Sequence, residues 1–135
     1  MALLEWSEQL SVGVDTFDDH HKQMISLLNE LHDAMTEGRG SEALSRVLGE
    51  LIDYTDYHFS AEEEAFDKFG YPEADAHKKA HADLLEKARD LKSQFDSGDT
   101  LMSMDVAEFL KRWVTEHIKG DDQKYSDFFA DKPIE

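Results

Sequence analysis

Two pairs of residues with metal-binding side chains occur in one central stretch of the sequence, His58-x3-Glu62 and His77-x3-His81. In a helix, residues four apart lie on the same face, so each pair can direct both side chains at one point. The Gly-Tyr-Pro sequence at 70–72 lies between the pairs and predicts that one helix ends and another begins there. Imidazole together with carboxylate suits iron, zinc or copper better than magnesium or calcium. The stretch therefore predicts a transition-metal site that spans a helical hairpin.

Apolar residues recur at helical spacing through most of the chain and predict the elements that carry this site. The predicted elements are an extended N-terminal arm at 1–17, four helices at 18–37, 41–69, 72–97 and 104–120, and a short tail at 121–135. Because the connections between these helices are short, neighbours along the chain should be antiparallel. A chain of 135 residues has the size of one domain. The prediction is thus an all-α, up-down-up-down four-helix bundle in a single domain, with Asp18 as the N-cap of the first helix.

The composition argues against several classes of function. With 31 Asp and Glu against 14 Lys and Arg, the net charge is −17, and such a field repels the phosphate backbone of nucleic acids. The absence of cysteine excludes disulfides, thiolate nucleophiles and iron–sulfur clusters. The sequence has no apolar run long enough to span a membrane and no basic-then-apolar signal at its start. The expected location is the cytoplasm, without direct insertion into a membrane.

Four of the seven histidines lie in phase with the apolar stripes of three predicted helices. They are His58, His77, His81 and His117. Buried imidazoles need polar partners, because polar groups removed from water cost free energy unless they are satisfied. Glu62 lies on the stripe of His58, whereas the two glutamates that follow it leave the stripe and are interpreted as surface residues. A shared metal ion satisfies all of these groups together, whereas separate hydrogen bonds in the core would need a different partner for each.

Periodicity leaves two further positions open. In the first helix, His20 and His21 lie at opposite edges of the apolar stripe, and either could contribute to the site. In the fourth helix, Asp121 lies four residues after His117 and Asp122 lies five residues after it. Five residues leave a regular helix rotated by about 140°. Asp122 could therefore join the site only through a loosened or π-type turn, which the preceding glycine would permit.

The full pattern resembles that of the hemerythrins, in particular their bacterial members, which are free-standing proteins or domains of chemoreceptors. It consists of His21, His58-x3-Glu62, His77-x3-His81 and His117-x4-Asp122, in this order on four predicted helices. Three further motifs are similar, namely Asp18-x-x-His21-Lys22, the Gly-Tyr-Pro turn at 70–72 and the ending His117-Ile118…Asp122…Tyr125. The resemblance extends over essentially the whole chain. It implies His21 rather than His20, and Asp122 rather than Asp121.

The resemblance implies a cofactor of two non-haem iron ions, bridged by Glu62, Asp122 and an oxo or hydroxo group. It assigns the three histidines of the third and fourth helices to one iron, which is then six-coordinate. It assigns the two histidines of the first and second helices to the other iron, which keeps one open position. Dioxygen is the expected partner at that position, and small anions could take its place in the oxidised form. Binding is expected to be reversible, because neutral imidazoles stabilise high-valent iron poorly.

The implied function is reversible dioxygen binding in a bacterium, for oxygen or redox sensing or for oxygen storage and delivery. As a sensor, the domain would be joined to the signalling domain of a larger chemoreceptor, and the N-terminal arm would transmit binding. By position, five residues match the apolar lining of the family's oxygen pocket: Met24, Phe59, Trp113, Val114 and Ile118. Ordinary core packing explains each of these equally well when it is considered alone. Ile118 and Phe59 are the preferred pair, because each directly follows a proposed ligand.

The alternative function is a diiron redox enzyme with peroxidase or ferroxidase-like activity. Ferritin-like diiron sites use Glu-x-x-His motifs on two helices. None of the seven histidines of this chain has a glutamate three residues before it. A zinc hydrolase is likewise disfavoured, since the sequence contains no His-Glu-x-x-His motif. We therefore expect an oxygen-binding protein rather than an enzyme, with peroxidase chemistry only as a side activity.

Overall fold

The computed structural model describes residues 4–38, 41–98 and 104–129, and within these ranges the chain is helical and contains no strand. The four long helices are α1 (Asp15–Thr36), α2 (Ser41–Phe69), α3 (Ala74–Ser97) and α4 (Met104–Glu116). Around them lie a 3-10 turn at Glu8–Leu10, a π-helical turn at His117–Asp121, a 3-10 turn at Asp122–Tyr125 and a last short helix, α5 (Ser126–Phe129). The prediction of an all-α protein with four long helices is confirmed.

Each long helix buries one apolar stripe, and these stripes form a continuous core. On α1 the buried stripe includes Met24, Leu28 and Leu31, each exposing 1% of its surface or less. α1 packs against α2 and α4, and α2 also packs against α3. Fully burying one such side chain contributes about 1.5–3 kcal/mol. The indole N–H of Trp113 on α4 also donates to the carbonyl of Leu84 on α3, at 3.1 Å, which fixes these two helices against each other.

Glycines follow two of the long helices, and the sequence predicted the helix end at the first of them. Gly70 follows α2 with φ of +70°, and Gly98 follows α3 with φ of +85°. An L-amino acid with a side chain rarely adopts this left-handed conformation, whereas glycine does so at little cost. The short segment between Gly70 and α3 returns the chain so that His77 can face α2.

The start of α1 differs from the prediction. The helix begins at Asp15, so Asp18 lies inside it and does not serve as its N-cap. The Asp18 carboxylate instead accepts hydrogen bonds from the backbone N–H of Val12 at 2.8 Å and from the hydroxyl of Ser11 at 2.6 Å. The preference of aspartate for helix N-caps therefore predicted the wrong role for Asp18. The segment before α1 folds back over the helix, and its N–H and hydroxyl groups donate to the Asp18 carboxylate instead.

The ends of α3 and of the chain also differ from the predicted bounds. α3 begins at Ala74, so Pro72 lies in the turn before it. The predicted tail is helical over the residues that the structure describes, and it buries Tyr125 and Phe129. Residues 1–3 of the predicted arm and 130–135 of the predicted tail lie outside the described residues. None of the helices in the described ranges is long and apolar enough to cross a membrane.

Candidate metal centre

The side chains of the predicted metal-binding pattern lie together at the centre of the helices. α1 provides one of them, α2 and α3 provide two each, and the end of α4 with its following turns provides the last two. Each exposes 5% of its surface or less. They are His21, His58, Glu62, His77, His81, His117 and Asp122. Residues up to 101 positions apart in sequence, from His21 to Asp122, therefore share one buried site.

Asp122 divides its two carboxylate oxygens between different histidines. Its Oδ1 lies 2.8 Å from Nε2 of His77 and 2.9 Å from Nε2 of His117. Its Oδ2 lies 2.9 Å from Nε2 of His21. The carboxylate thus faces α3 and α4 with one oxygen and α1 with the other.

Glu62 divides its oxygens in the same way. Its Oε1 lies 3.1 Å from Nε2 of His81 and 3.9 Å from Nε2 of His77. Its Oε2 lies 3.4 Å from Nε2 of His58, and it also accepts a hydrogen bond from the buried hydroxyl of Tyr125. Both carboxylates therefore lie between two sets of imidazoles and present one oxygen to each set.

Two overlapping groups of possible metal ligands result. The three-histidine group contains His77, His81 and His117, and the two-histidine group contains His21 and His58. Glu62 and Asp122 belong to both groups, and in each group the candidate ligand atoms lie within 4.8 Å of one another. Within the described part of the chain, these are the clusters of histidine, aspartate and glutamate with the geometry to hold a metal ion.

The π-helical turn explains how Asp122 reaches the site. The backbone N–H of Asp122 bonds to the carbonyl of His117, five residues earlier, as well as to that of Ile118. This wider turn offsets the rotation of about 140° that five residues of a regular α-helix would produce. Asp122 consequently shares a face with His117. Such π turns occur preferentially at functional sites.

Several polar atoms that point into the site lack hydrogen bonds, and this observation tests whether the residues suit a metal. Within the described part of the chain, the buried atoms without a hydrogen-bond partner include Nε2 of His21, His58 and His81, Oε1 of Glu62 and Oδ2 of Asp122. Leaving one such group buried and unsatisfied costs about 1–3 kcal/mol, and more for a charged group. A metal cation would satisfy all of them at once, so the donor set fits the ion that it implies.

Burial and the neighbouring charges set the ionisation of the site. Burial and the charge of Asp122 act to raise the pKa of Glu62, but His58 and His81 outweigh them, and this pKa lies below its usual value. Burial also acts to raise the pKa of Asp122, yet the imidazoles around it, that of His117 first, hold this pKa well below its usual value. Burial lowers the pKa of His58. Ionised carboxylates and a neutral imidazole are the protonation states that bind metals.

Three contacts behind the site were missed by sequence reasoning. Nδ1 of His20 lies 2.7 Å from Nδ1 of His58, and burial together with His58 lowers the pKa of His20 to about 4. Nδ1 of His81 lies 3.0 Å from Oε2 of Glu63, so the interpretation of Glu63 as a simple surface residue was wrong. The third contact is the hydroxyl of Tyr125, already described. His20 carried a signal in its position at the edge of the apolar stripe, and Tyr125 carried one as part of the ending motif, whereas Glu63 carried none.

The five residues predicted to line an oxygen pocket are all buried, at 6% exposure or less. The Phe59 ring lies face to face with His81, with centroids 3.8 Å apart and planes at 3°, and its edge meets His117 at 5.1 Å. Phe59 therefore contacts the three-histidine group most closely. Ile118 is fully buried and directly follows His117 in the π turn. Apolar side chains of this kind keep water away from the ligand atoms.

The fold and the site together place this chain in the class of helical proteins that have a buried metal-binding centre of imidazoles and carboxylates. Residues 12–129 match the family model described as the hemerythrin HHE cation binding domain. A bacteriohemerythrin of Stenotrophomonas maltophilia is 39% identical, over 94% of this chain and 82% of the relative. One of Methylococcus capsulatus is 35% identical, over 93% of this chain and 95% of the relative. The crystal structure of a wild-type hemerythrin superposes with a TM-score of 0.89 at 32% identity, over 96% of this chain and 99% of that one.

The chain belongs to the hemerythrin family. Hemerythrins are oxygen-binding proteins rather than enzymes, and their domain implies non-haem iron. Membership together with the cluster of histidine, glutamate and aspartate therefore indicates iron and oxygen binding for this chain.

Proposed function

We propose that this chain binds dioxygen reversibly at a centre of two non-haem iron ions. The proposed ligands are His21, His58, Glu62, His77, His81, His117 and Asp122. One observation carries the proposal: Glu62 and Asp122 each present one oxygen to the three-histidine group and the other to the two-histidine group. Carboxylates placed in this way are suited to bridging two ions, with an oxo or hydroxo group as the third bridge.

The unequal number of histidines gives the site its function. Three imidazoles serve one ion and two serve the other, so the two-histidine group leaves a coordination position for dioxygen. When bound, the iron pair supplies the electrons that hold dioxygen reversibly. The protein residues would hold the ions between the helices, keep the His58 imidazole neutral through burial, which lowers its pKa, and leave the open position facing apolar side chains.

Exclusion of water is the proposed role of the apolar lining. Met24, Phe59, Trp113, Val114 and Ile118 are the proposed lining residues. All five are buried, and Trp113 is held in place by its hydrogen bond to the carbonyl of Leu84. A dry, apolar surrounding limits access of water and anions to the open position, which would otherwise promote oxidation of the centre.

Iron loading followed by exposure to oxygen tests this function. We expect the anaerobically reduced protein to bind two ferrous ions per chain and then to develop a visible absorption band with oxygen that disappears when oxygen is removed. The zinc-loaded protein is the control, because zinc has no redox chemistry and should give no such band. Retention of only one ion, or oxidation that oxygen removal does not reverse, would contradict the proposal. Peroxidase turnover measured on the same sample reports the side activity.

The proposed architecture is a single-domain bundle in which the four long helices run up, down, up and down. α1 packs against α2, α2 against α3 and α1 against α4, and this set of neighbours supports a closed bundle of alternating helices. Spin labels at residues 37 and 97 should then lie close to each other, and both should lie far from a label at residue 70. A label pair at 37 and 97 with a long separation would contradict the alternating arrangement, because α2 alone already keeps residues 37 and 70 apart.

Residues 4–14 form the proposed N-terminal arm, through which a sensing role would act. The Asn29 side chain holds Leu4 by two hydrogen bonds, accepting from its backbone N–H at 3.0 Å and donating to its carbonyl at 2.7 Å. Gln123, the residue directly after Asp122, donates to the carbonyl of Gln9 at 2.7 Å. The arm thus contacts the turn that carries a proposed bridging ligand. That contact favours sensing over storage.

Hydrogen exchange distinguishes the two roles. For a sensor, amide protection of residues 4–14 should differ between the oxygen-free and oxygen-bound protein, while the core of α2 remains unchanged and serves as the internal control. For a storage protein, protection of the arm should be the same in both states. Equal protection would therefore remove the structural basis for sensing without affecting the proposal of oxygen binding.

A further inference from the structure

His20 lies beside the metal centre but belongs to neither group of candidate ligands. It is a buried residue of α1, and its Nδ1 lies 2.7 Å from Nδ1 of His58 on α2. The two rings meet edge to face, with centroids 4.9 Å apart and planes at 87°. Tyr54 and Tyr57 of α2 contact the other side of the His20 ring at 6.0 and 5.4 Å. The His20 ring is therefore held against the side of His58 that faces away from the site.

The short contact between the two Nδ1 atoms requires one shared proton. A neutral imidazole carries its proton on one nitrogen and accepts with the other, so one ring must donate and the other must accept. If His20 donates, the proton of His58 is on Nε2, the atom that faces Glu62, and Nε2 has no lone pair for a metal. If His20 accepts, the proton of His58 is on Nδ1, and Nε2 is free to bind an ion.

We propose that His20 is a positioning residue that accepts a hydrogen bond from Nδ1 of His58 and so keeps Nε2 of His58 available as a metal ligand. The proposal rests on the proposed function, since it gives the two-histidine group its metal-binding tautomer. Partners behind a ligating histidine fix its ring orientation and tautomer and raise its affinity for the metal. His20 would thus serve the oxygen-binding side of the centre specifically.

The surroundings of His81 and His21 differ from those of His58. His81 of the three-histidine group has a carboxylate, that of Glu63, behind its Nδ1. The buried Nδ1 of His21 has no hydrogen-bond partner within the described part of the chain. In the two-histidine group, the contact with His20 is therefore the one that fixes the tautomer of a ligand. Removing it should affect one ion and spare the other.

Two substitutions at His20 separate hydrogen bonding from packing. His20→Leu keeps a side chain of similar size but removes Nδ1, the proposed hydrogen-bond acceptor. His20→Asn places a carbonyl oxygen at the position of Nδ1 and so restores a hydrogen-bond acceptor for His58. His32→Leu is the control, because His32 is another histidine of α1, half-buried, and has no contact with the ligands among the described residues. Ferrous iron is titrated anaerobically into each metal-free protein against a competing chelator, and ring-nitrogen NMR of the metal-free proteins reports the tautomer of His58.

We expect His20→Leu to weaken binding of the second ferrous ion by about 10- to 100-fold and to leave the first ion unaffected. The proton of His58 should move from Nδ1 to Nε2, where Glu62 is the nearest remaining acceptor. His20→Asn should restore both the affinity and the tautomer. Equal affinities of His20→Leu and His32→Leu for the second ion, or a wild-type His58 protonated at Nε2, would overturn the role of His20.

The wild-type titration keeps this inference separate from the proposed function. Failure of the wild-type protein to bind a second ion would count against the diiron proposal, whatever the His20 variants do. Two ions in the wild-type protein with no effect of His20→Leu would count against the role of His20 alone. If His20→Leu does not fold, the tautomer of His58 in the wild-type protein and in His20→Asn still decides the question.

Discussion

The three-histidine group and the two-histidine group share two carboxylates but differ in the side chains that support them. Behind His81 lie the carboxylate of Glu63 and the flat face of Phe59. Behind His58 lies the imidazole of His20, the proposed neutral acceptor, with its Nδ1 2.7 Å from that of His58. A carboxylate raises the basicity of a ligating imidazole more than a neutral acceptor does. The two groups therefore differ in more than their number of histidines. We also expect the three-histidine group to bind its metal ion more strongly than the two-histidine group does.

The groups also differ in how the fold assembles them. His77 and His81 lie on one helix four residues apart, so a single rigid element fixes their relative positions. His21 and His58 lie on α1 and α2, so their relative position depends on the packing of two helices. One helix thus positions two of the imidazoles in the three-histidine group, whereas tertiary packing alone brings together the two imidazoles of the group proposed to bind oxygen. Four substitutions test this difference, beginning with the largest expected effect.

Replacing Asp122 with asparagine should remove the centre as a whole. The amide carries no charge, and its NH2 replaces one of the two oxygens, so it directs N–H groups at the histidines of one group and leaves the other group a weaker, neutral oxygen. We expect affinity for both ions to fall by more than about 100-fold, beyond the range for residues that only support ligands. The measurement is iron retained per chain after dialysis. Asp127→Asn, at an exposed position of α5, is the control. If Asp122→Asn lost iron from only one group, the Asp122 carboxylate would not bind the ions of both groups.

Replacing Ile118 with glutamate should change the chemistry at the open position. A carboxylate beside that position brings water and proton transfer into an apolar surrounding. We expect the oxygen-bound form to decay at least about tenfold faster, and peroxide chemistry to increase. Decay of the visible band after oxygen exposure gives the rate. Ile118→Leu, which conserves volume, is the control. An unchanged lifetime in the glutamate variant would show that Ile118 does not line the pocket.

Replacing Tyr125 with phenylalanine should affect mainly the two-histidine group. The hydroxyl of Tyr125 donates to Oε2 of Glu62, the oxygen that faces His58. Its removal leaves a buried carboxylate oxygen without this donor, and we expect the metal-free protein to lose about 1–3 kcal/mol of unfolding free energy. Urea unfolding measures this loss. Tyr57→Phe, at an exposed position, should have almost no effect. Equal stabilities of the two variants would mean that the Tyr125 hydroxyl does not stabilise Glu62.

Replacing Glu63 with glutamine should have the smallest effect on iron binding. It tests most directly whether the two groups differ because of the side chains behind their histidines. The substitution gives His81 a neutral acceptor of the kind that His58 already has. We expect iron in the three-histidine group to be held about tenfold more weakly. The unfolding free energy should stay within about 0.5 kcal/mol, because Glu63 is partly exposed. Chelator competition measures the affinity, with the exposed Glu64→Gln as control. If the two variants bind iron alike, the carboxylate behind His81 does not strengthen the site.

Much of this protein follows from its sequence. Helical periodicity predicted four long helices, and the Gly-Tyr-Pro sequence at 70–72 predicted where the second ends. The four-residue spacings on α2 and α3 predicted which side chains share a face, because a regular helix repeats nearly every four residues. The absence of cysteine limited the ligands to nitrogen and oxygen. The likeness to the hemerythrins came from the order and spacing of these residues along the chain.

The tertiary structure decided what regular periodicity could not. Asp122 shares the face of His117 because the helix widens into a π turn, whereas regular spacing alone left Asp121 and Asp122 as alternatives. His20 and Glu63 contact ligands on other helices, so no pattern within their own helix reveals their partners. Asp18 was misassigned because its donors come from a segment that folds back over the helix. Local spacing thus determined the histidine pairs, while contacts between elements determined how each is oriented, charged and supported.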